Sequence, residues 1–173
     1  KQDSREAIKK LNNLGYKTIM ITGDNEITAK AIASQVGIKE IIANVLPEDK
    51  SKKIQELQKR GMVAFVGDGI NDAPALKQSN VGIAMGSGTD IAIESGDLVL
   101  TKSSLTGVVQ AINLSKKTFS KIKQNLFWAF AYNVIAIPVA VLGFLHPIIA
   151  EAAMALSSIT VVTNANLLRK TKI

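Results

Sequence analysis

The sequence predicts an α/β protein, a parallel Rossmann-like sheet with helices on both faces, followed by a two-helix transmembrane hairpin. Three observations predict it. Short β-rich runs alternate with helical stretches through residues 1–110; two strands run into the same kind of text, KTIMITGDN and MVAFVGDGIND; and two uncharged runs, 124–145 and 152–168, close the chain.

The elements follow in order. DSREAIKKLNNLG reads as an amphipathic helix with Asp3 or Ser4 as its cap and Gly15 as its stop. KTIMIT at 17–22 is a strand, EITAKAIASQVG a helix closed by Gly37, and EIIANV at 40–45 a second strand. PEDKSKKIQELQKRG places Pro47 in a first helical turn and ends on Gly61. MVAFV at 62–66 is a near-continuous apolar run, expected of a strand buried on both faces. DAPALKQS is a short helix, VGIAM a strand, TDIAIES a short helix and DLVLT a last strand. No internal repeat or low-complexity linker interrupts them.

At 173 residues the chain has room for one ordinary domain with an appendage, and it holds no cysteine, so neither a disulfide nor a thiolate metal site can be built from it. The net charge of +7 is local rather than global. Residues 1–115 carry 14 Lys/Arg against 13 Asp/Glu, and the excess sits in KKTFSKIKQ at 116–124 and RKTKI at 169–173. Nucleic-acid binding is therefore not the reading that this charge supports.

Those basic blocks flank QNLFWAFAYNVIAIPVAVLGFL and, across His146 and Pro147, a second run ending AAMALSSITVVTNANLL. Crossing a bilayer core of about 30 Å takes roughly 20 apolar residues as helix. The first run meets that length, and the second does with PIIAE included. Lysine and arginine at both outer ends place both on the cytoplasmic side of a cell membrane. The expected divisions are an α/β domain at 1–110, a basic juxtamembrane helix at 111–124, the helix pair at 125–168 and a cytosolic tail at 169–173. A buried helical pair in a soluble protein is the other reading of the same runs.

In a parallel α/β sheet ligands bind beyond the carboxyl ends of the strands. The two Gly-Asp strand exits should therefore converge on one small pocket. Glycine lets backbone N–H groups approach a phosphate, and the Thr22 hydroxyl adds a donor. Asp68 and Asp72 are acceptor-only carboxylates of the type magnesium prefers, and magnesium takes one or two of them beside phosphate oxygens. Asn71 can donate to a phosphoryl oxygen, and Lys50 can bring it a positive charge. Phosphoryl transfer asks chiefly for such positioning and charge neutralisation. A turn or cap for TGDN and a solvated Lys50 are the bland alternatives.

MITGDN with TAKAIASQVGI, LPEDK, VGDGINDAPAL and GIAMGSGTDIAIESGDLVL resembles the second half of the phosphorylation domain of P-type ATPases, a membrane branch of the haloacid dehalogenase-like fold. The resemblance implies that Asp68 is the principal magnesium carboxylate and Asp72 the second acidic member. It implies that Thr22, Gly23 and Asn71 contact the transferred phosphoryl group, that Lys50 neutralises it and that Asp24 orders the loop. Members of the family phosphorylate an aspartate in a DKTGT motif, and that string is not in this sequence. Nor do the nucleotide-binding and actuator domains have a counterpart here, so the resemblance implies the C-terminal part of a larger or split pump, with ATP bound mainly elsewhere.

In the membrane runs Tyr132 and Asn133 stand side by side before Pro138, which should open the helix backbone. Met154, Ser157 and Ser158 are spaced to share one helical face, and a thioether suits Cu(I). Taken singly, Ser and Asn would hydrogen-bond between helices and Met would fill space. As a set they resemble the last two membrane helices of the copper-transporting subclass, where they complete a Cu(I) pathway with a Cys-Pro-Cys on an earlier helix. Ag(I) is not separated from Cu(I) by these ligands. Glu151 and His146 read as interfacial, with Glu151 as a release-side ligand the sharper alternative. The expected partners are the bilayer, the remainder of the pump and the metal ion, and not nucleic acid. A membrane-anchored haloacid dehalogenase-like phosphatase and a non-catalytic membrane subunit are the competing functions.

Overall fold

The computed structural model describes residues 3–86, 90–102, 104–143 and 146–170, without the side chains of 91, 92, 147, 149 and 170. The expected interhelical turn and cytosolic tail lie partly outside the described residues. The chain divides into two compact units, Lys1–Gln110 and Ala111–Ile173.

The first unit alternates helix and strand as the sequence predicts. It contains α1 (Ser4–Asn13), β1 (Ile19–Ile21), α2 (Glu26–Val36), β2 (Glu40–Ile42), α3 (Lys50–Gln58), β3 (Ala64–Gly67), α4 (Ala73–Gln78), β4 (Val81–Met85), α5 (Asp90–Ser95) and β5 (Leu98–Leu100). Single 3-10 turns, Pro47–Asp49 and Ile70–Asp72, lead into α3 and α4. Local chemistry accounts for several boundaries. The Asn25 side chain accepts the Thr28 amide at 2.9 Å to start α2, and Gly37, at φ 83°, closes it in the left-handed conformation a side chain would oppose.

All pairings are parallel, but they form two sheets: β1 with β2, and β3 with β4 with β5. In the second sheet Val66 sits opposite Ile83, and Ile83 opposite Leu98. Its core is Leu76 and Ala84, fully buried, with Phe65 packed against them. Among the described residues no ladder joins β1 to β3, so each is an edge strand. The run MVAFV is accordingly not buried on both faces as expected. Met62 is 83 % exposed, Ala64 is exposed, and Phe65 and Val66 are only partly covered. The apolar pattern of a strand reports a preference for burial, and β3 has a neighbour on one side only.

Gly82 in β4 allows a close approach that no other residue fits. A Cβ there would lie 2.7 Å from the Leu76 carbonyl oxygen at the end of α4. Gly82→Ala must push α4 from the sheet, and we expect it to lower the unfolding free energy by about 1–3 kcal/mol. A urea midpoint shifted down at unchanged slope is the readout.

The predicted cap of α1 holds in position but not in bonding. Asp3 occupies the N-cap position but makes no side-chain bond to α1, and Ser4 is buried. The Asp3 carboxylate reaches instead to Ser104 and Thr106, at the start of the next long helix. These bonds, the Ser104 hydroxyl first and the Thr106 amide second, hold its pKa well below the usual carboxylate range.

That helix, α6 (Thr106–Val141), runs as one element through the basic block and the first apolar run, so residues 111–124 are not a separate helix. It is the one helix among the described residues long and apolar enough to cross a membrane, and none of its apolar window is buried within the protein. Pro138 lies inside α6 and removes one backbone donor, yet Leu142 still donates to the Pro138 carbonyl at 3.0 Å. The missing donor would have met the Val134 carbonyl, and the helix nevertheless continues to Val141. α7 (Pro147–Asn166) starts with Pro147 in its first turn and His146 as its N-cap, and it ends in a 3-10 turn, Leu167–Lys170.

Candidate functional site

The loop after β3 turns tightly because of two residues. A Cβ on Gly67 would lie 2.7 Å from the Asp72 Cβ, so only glycine lets the carboxylate fold back beneath the strand exit. Asp72 Oδ2 then accepts the backbone amides of Asp68 at 3.3 Å and Gly69 at 3.2 Å. Its other oxygen, Oδ1, accepts Lys50 Nζ at 2.6 Å. Asp72 is 9 % exposed, and the paired side chains retain 18 % (Lys50) and 12 % (Asp72) of their accessible surface. A charge pair so little hydrated is held by Coulomb attraction and by the two backbone amides that meet the second carboxylate oxygen.

Asp72 was expected as a second magnesium carboxylate. In this structure both of its oxygens are engaged inside the protein, one by a lysine and one by the loop it organises. Asp68 and Asn71, by contrast, are exposed at the lip of the loop. Among the described residues no group of three or more His, Cys, Asp or Glu side chains gathers into a metal site.

Lys50 is aimed by its helix. It opens α3, and the far end of α3 is bound to α4 through amides: Gln58 donates to the Gln78 carbonyl at 2.9 Å, and Gln78 donates back to the Gln58 side chain at 3.0 Å. The two helices are thus joined at both ends, by Lys50–Asp72 at one and by glutamines at the other. The glutamines carry no motif, and their contribution was not visible in the sequence.

In the loop after β1 the side chains of Thr22 and Asp24 bond to each other and to the loop backbone. The Thr22 hydroxyl donates to Asp24 Oδ2 at 3.0 Å, and the Asp24 amide donates to Thr22 Oγ1 at 3.1 Å. This loop is fastened to the exit of β2, where Asn44 donates to the Asp24 carbonyl and Val45 to that of Thr22. Asn44 is the one non-glycine residue with positive φ among the described residues, at 55°, a conformation asparagine tolerates. From Val45 the chain enters the 3-10 turn that delivers Lys50. TGDN, LPEDK and GDGIND are therefore linked in series through backbone bonds and one charge pair. A cleft of about 320 Å³ beside this path is lined by Asn44, Val45, Asp49 and Lys53 among others, and none of Thr22, Lys50, Asp68 or Asp72 lines it.

In the second unit the structure brings the two helices together by polar contacts. Lys121 donates to Asn164 at 2.7 Å, Asn164 donates to Asn125 at 2.7 Å, and the hydroxyls of Tyr132 and Thr160 lie 3.4 Å apart. Asn133 donates to the Ala129 carbonyl at 2.8 Å, Ser158 donates to that of Met154 at 3.2 Å, and the Met154 side chain is 73 % exposed. Ser157 is half-buried. Bonds to the carbonyl four residues back are how Ser and Asn satisfy themselves on a helix when no partner helix supplies a group.

Parallel strands with helices between them and Gly-Asp loops at the exits of β1 and β3 define a haloacid dehalogenase-like domain. A haloacid dehalogenase-like hydrolase family model matches residues 1–80. Over its whole length the chain is 54 % identical, across 174 residues, to a copper-exporting P-type ATPase of Staphylococcus haemolyticus, covering 22 % of that protein. It is 56 % identical, across 181 residues, to a copper-exporting P-type ATPase of Vibrio cholerae, covering 20 % of that one. A crystal structure of a zinc-transporting PIB-type ATPase matches 97 % of this chain with a TM-score of 0.91 at 43 % identity, 28 % of that chain being covered. Over its whole length the chain is thus similar to P-type ATPases, and it spans about a fifth of the length of the curated relatives it matches.

Proposed function

We propose that this chain supplies part of the phosphoryl-transfer site and two membrane helices of an ATP-driven Cu(I) export pump, integral to the cell membrane with both ends in the cytoplasm. The observation that carries the reading is the Lys50–Asp72 pair wrapped by the GDGIND loop. It places a cation and two exposed oxygen or amide groups, Asp68 and Asn71, at the exit of a parallel strand.

The donor set fits magnesium, which favours carboxylate and phosphate oxygens over nitrogen or sulfur. Asp68 would hold it, with Asp72 behind it keeping the loop closed, and bound magnesium would neutralise charge on the phosphoryl oxygens. Lys50 adds positive charge from the opposite element, Asn71 donates to a phosphoryl oxygen, and Thr22 and Gly23 line the other side with Asp24 holding their turn. The phosphorylated aspartate comes from the remainder of the pump, which also carries the nucleotide-binding and actuator domains. The unpaired edges of β1 and β3 give a strand carrying that aspartate a place to dock.

For the cargo, Tyr132, Asn133, Met154, Ser157 and Ser158 form the part of a Cu(I) path that these helices contribute, completed by a Cys-Pro-Cys helix elsewhere. The exposure of Met154 is the feature expected of a ligand whose partners lie on other helices. The test is ATP hydrolysis by the intact pump in lipid, with Cu(I), Ag(I) and Zn(II) supplied separately. Stimulation by Cu(I) is expected, reduced about tenfold or more in Met154→Leu with Tyr132→Phe while phosphorylation by inorganic phosphate persists. Stimulation by Zn(II) in place of Cu(I) would overturn the cargo and leave the phosphoryl site standing.

A further inference from the structure

We propose that Asp3 is the coupling residue that fastens the root of α6 to α1, so that a displacement of the phosphate-handling unit reaches the helix bearing Tyr132 and Asn133. The inference rests on the reading of this chain as part of a pump.

One oxygen of Asp3, Oδ2, accepts three donors: the Ser104 hydroxyl at 2.6 Å, the Thr106 amide at 2.9 Å and the Thr106 hydroxyl at 2.8 Å. The Thr106 amide is among the first of α6, one of the donors that a helix leaves unmet at its start. A carboxylate there also faces the positive end of the helix dipole. Asp3 thus performs for α6 the capping function it does not perform for its own helix, α1.

The contact is part of a built joint. Ser4, Ala7, Ile8 and Leu11 of α1 are buried, so Asp3 sits on a helix that cannot easily shift alone. At the root of α6, Gly107 lies against Leu100 of β5, and Val108 and Val109 are 4 % and 5 % exposed. Beyond Gly107 the helix has no glycine, and no proline until Pro138. Kinks form most often at such residues. Apolar contacts alone would let the first turn slide or fray. A single charged acceptor shared by three donors fixes both its position and its rotation.

The test uses the intact pump carrying this chain, reconstituted in vesicles, with Cu(I) uptake and ATP hydrolysis measured together for the parent, Asp3→Ala and Asp3→Asn. Asp3→Ala is expected to lower Cu(I) moved per ATP by about fivefold or more, a typical coupling magnitude, with the phosphoenzyme level from ATP held within about twofold. Asp3→Asn, which keeps an acceptor oxygen, should recover part of the ratio. Hydrogen exchange at the amides of residues 106–109 should quicken about tenfold in Asp3→Ala, as the loss of a cap implies. Uptake and hydrolysis falling in equal proportion, or neither falling, would overturn the coupling role while the pump reading stands. Unchanged exchange would overturn the clamp itself. A parent that hydrolyses ATP without moving Cu(I) would overturn both.

Discussion

Asp72→Ala is expected to lower the unfolding free energy of the first unit by about 3 kcal/mol, the low end of what removing one partner of a buried ion pair costs. Three bonds are lost at once: Lys50 Nζ to Oδ1, and the amides of Asp68 and Gly69 to Oδ2. Lys50 is left as an uncompensated cation with little access to water, and the loop loses the acceptor that shapes it. Lys50→Met should cost less, because Asp72 keeps both backbone donors. The double variant should be more stable than the sum of the single losses predicts, by about 0.5–3 kcal/mol, since the two groups interact directly. Urea unfolding of the chain in detergent, followed by circular dichroism, checks the cycle. An Asp72→Ala variant within about 0.5 kcal/mol of its parent would show that the pair is held by its surroundings and not the reverse.

What was legible in the sequence followed from local chemistry. The alternation of helix and strand, Gly37 at the end of α2, and the two Gly-Asp exits are each written in a few consecutive residues. What was not legible depended on distant partners. Lys50 and Asp72 are 22 positions apart, and Asp3 meets Ser104 across 101. No periodicity or spacing marks either pairing. Asp3 looked like the cap of its own helix because Asp before an amphipathic run usually is one, and here a tertiary contact claimed the carboxylate. Gly67 leaves the space into which Asp72 folds, a close approach that no spacing in the sequence marks. The burial of MVAFV was misjudged for a related reason: a strand's composition records the surroundings it favours, while its exposure depends on which neighbours are present.

Asp68→Asn should show the opposite profile from Asp72→Ala. The substitution keeps the shape of the side chain, and the backbone amide at 68 still donates to Asp72 Oδ2, so the loop retains its conformation. Asp68 is exposed, and surface changes of this kind usually stay within about 0.5 kcal/mol, so unfolding should be nearly unaffected. Activity should not be spared. A neutral amide is a poor ligand for a hard divalent cation beside phosphate oxygens. Removing one electrostatic group from a transferring centre costs on the order of 10²–10³ in rate. In the intact pump, magnesium-dependent phosphoenzyme formation is therefore expected to fall by that factor, with a higher magnesium concentration recovering part of it. Recovery by magnesium is the discriminating readout, because a loop that had merely collapsed would not respond to it. Full activity in Asp68→Asn would remove this carboxylate from the metal's coordination. Joint loss of stability and activity in both variants would mean that the two aspartates share one structural task, and the division of labour between an inner carboxylate and an outer one would have to be abandoned.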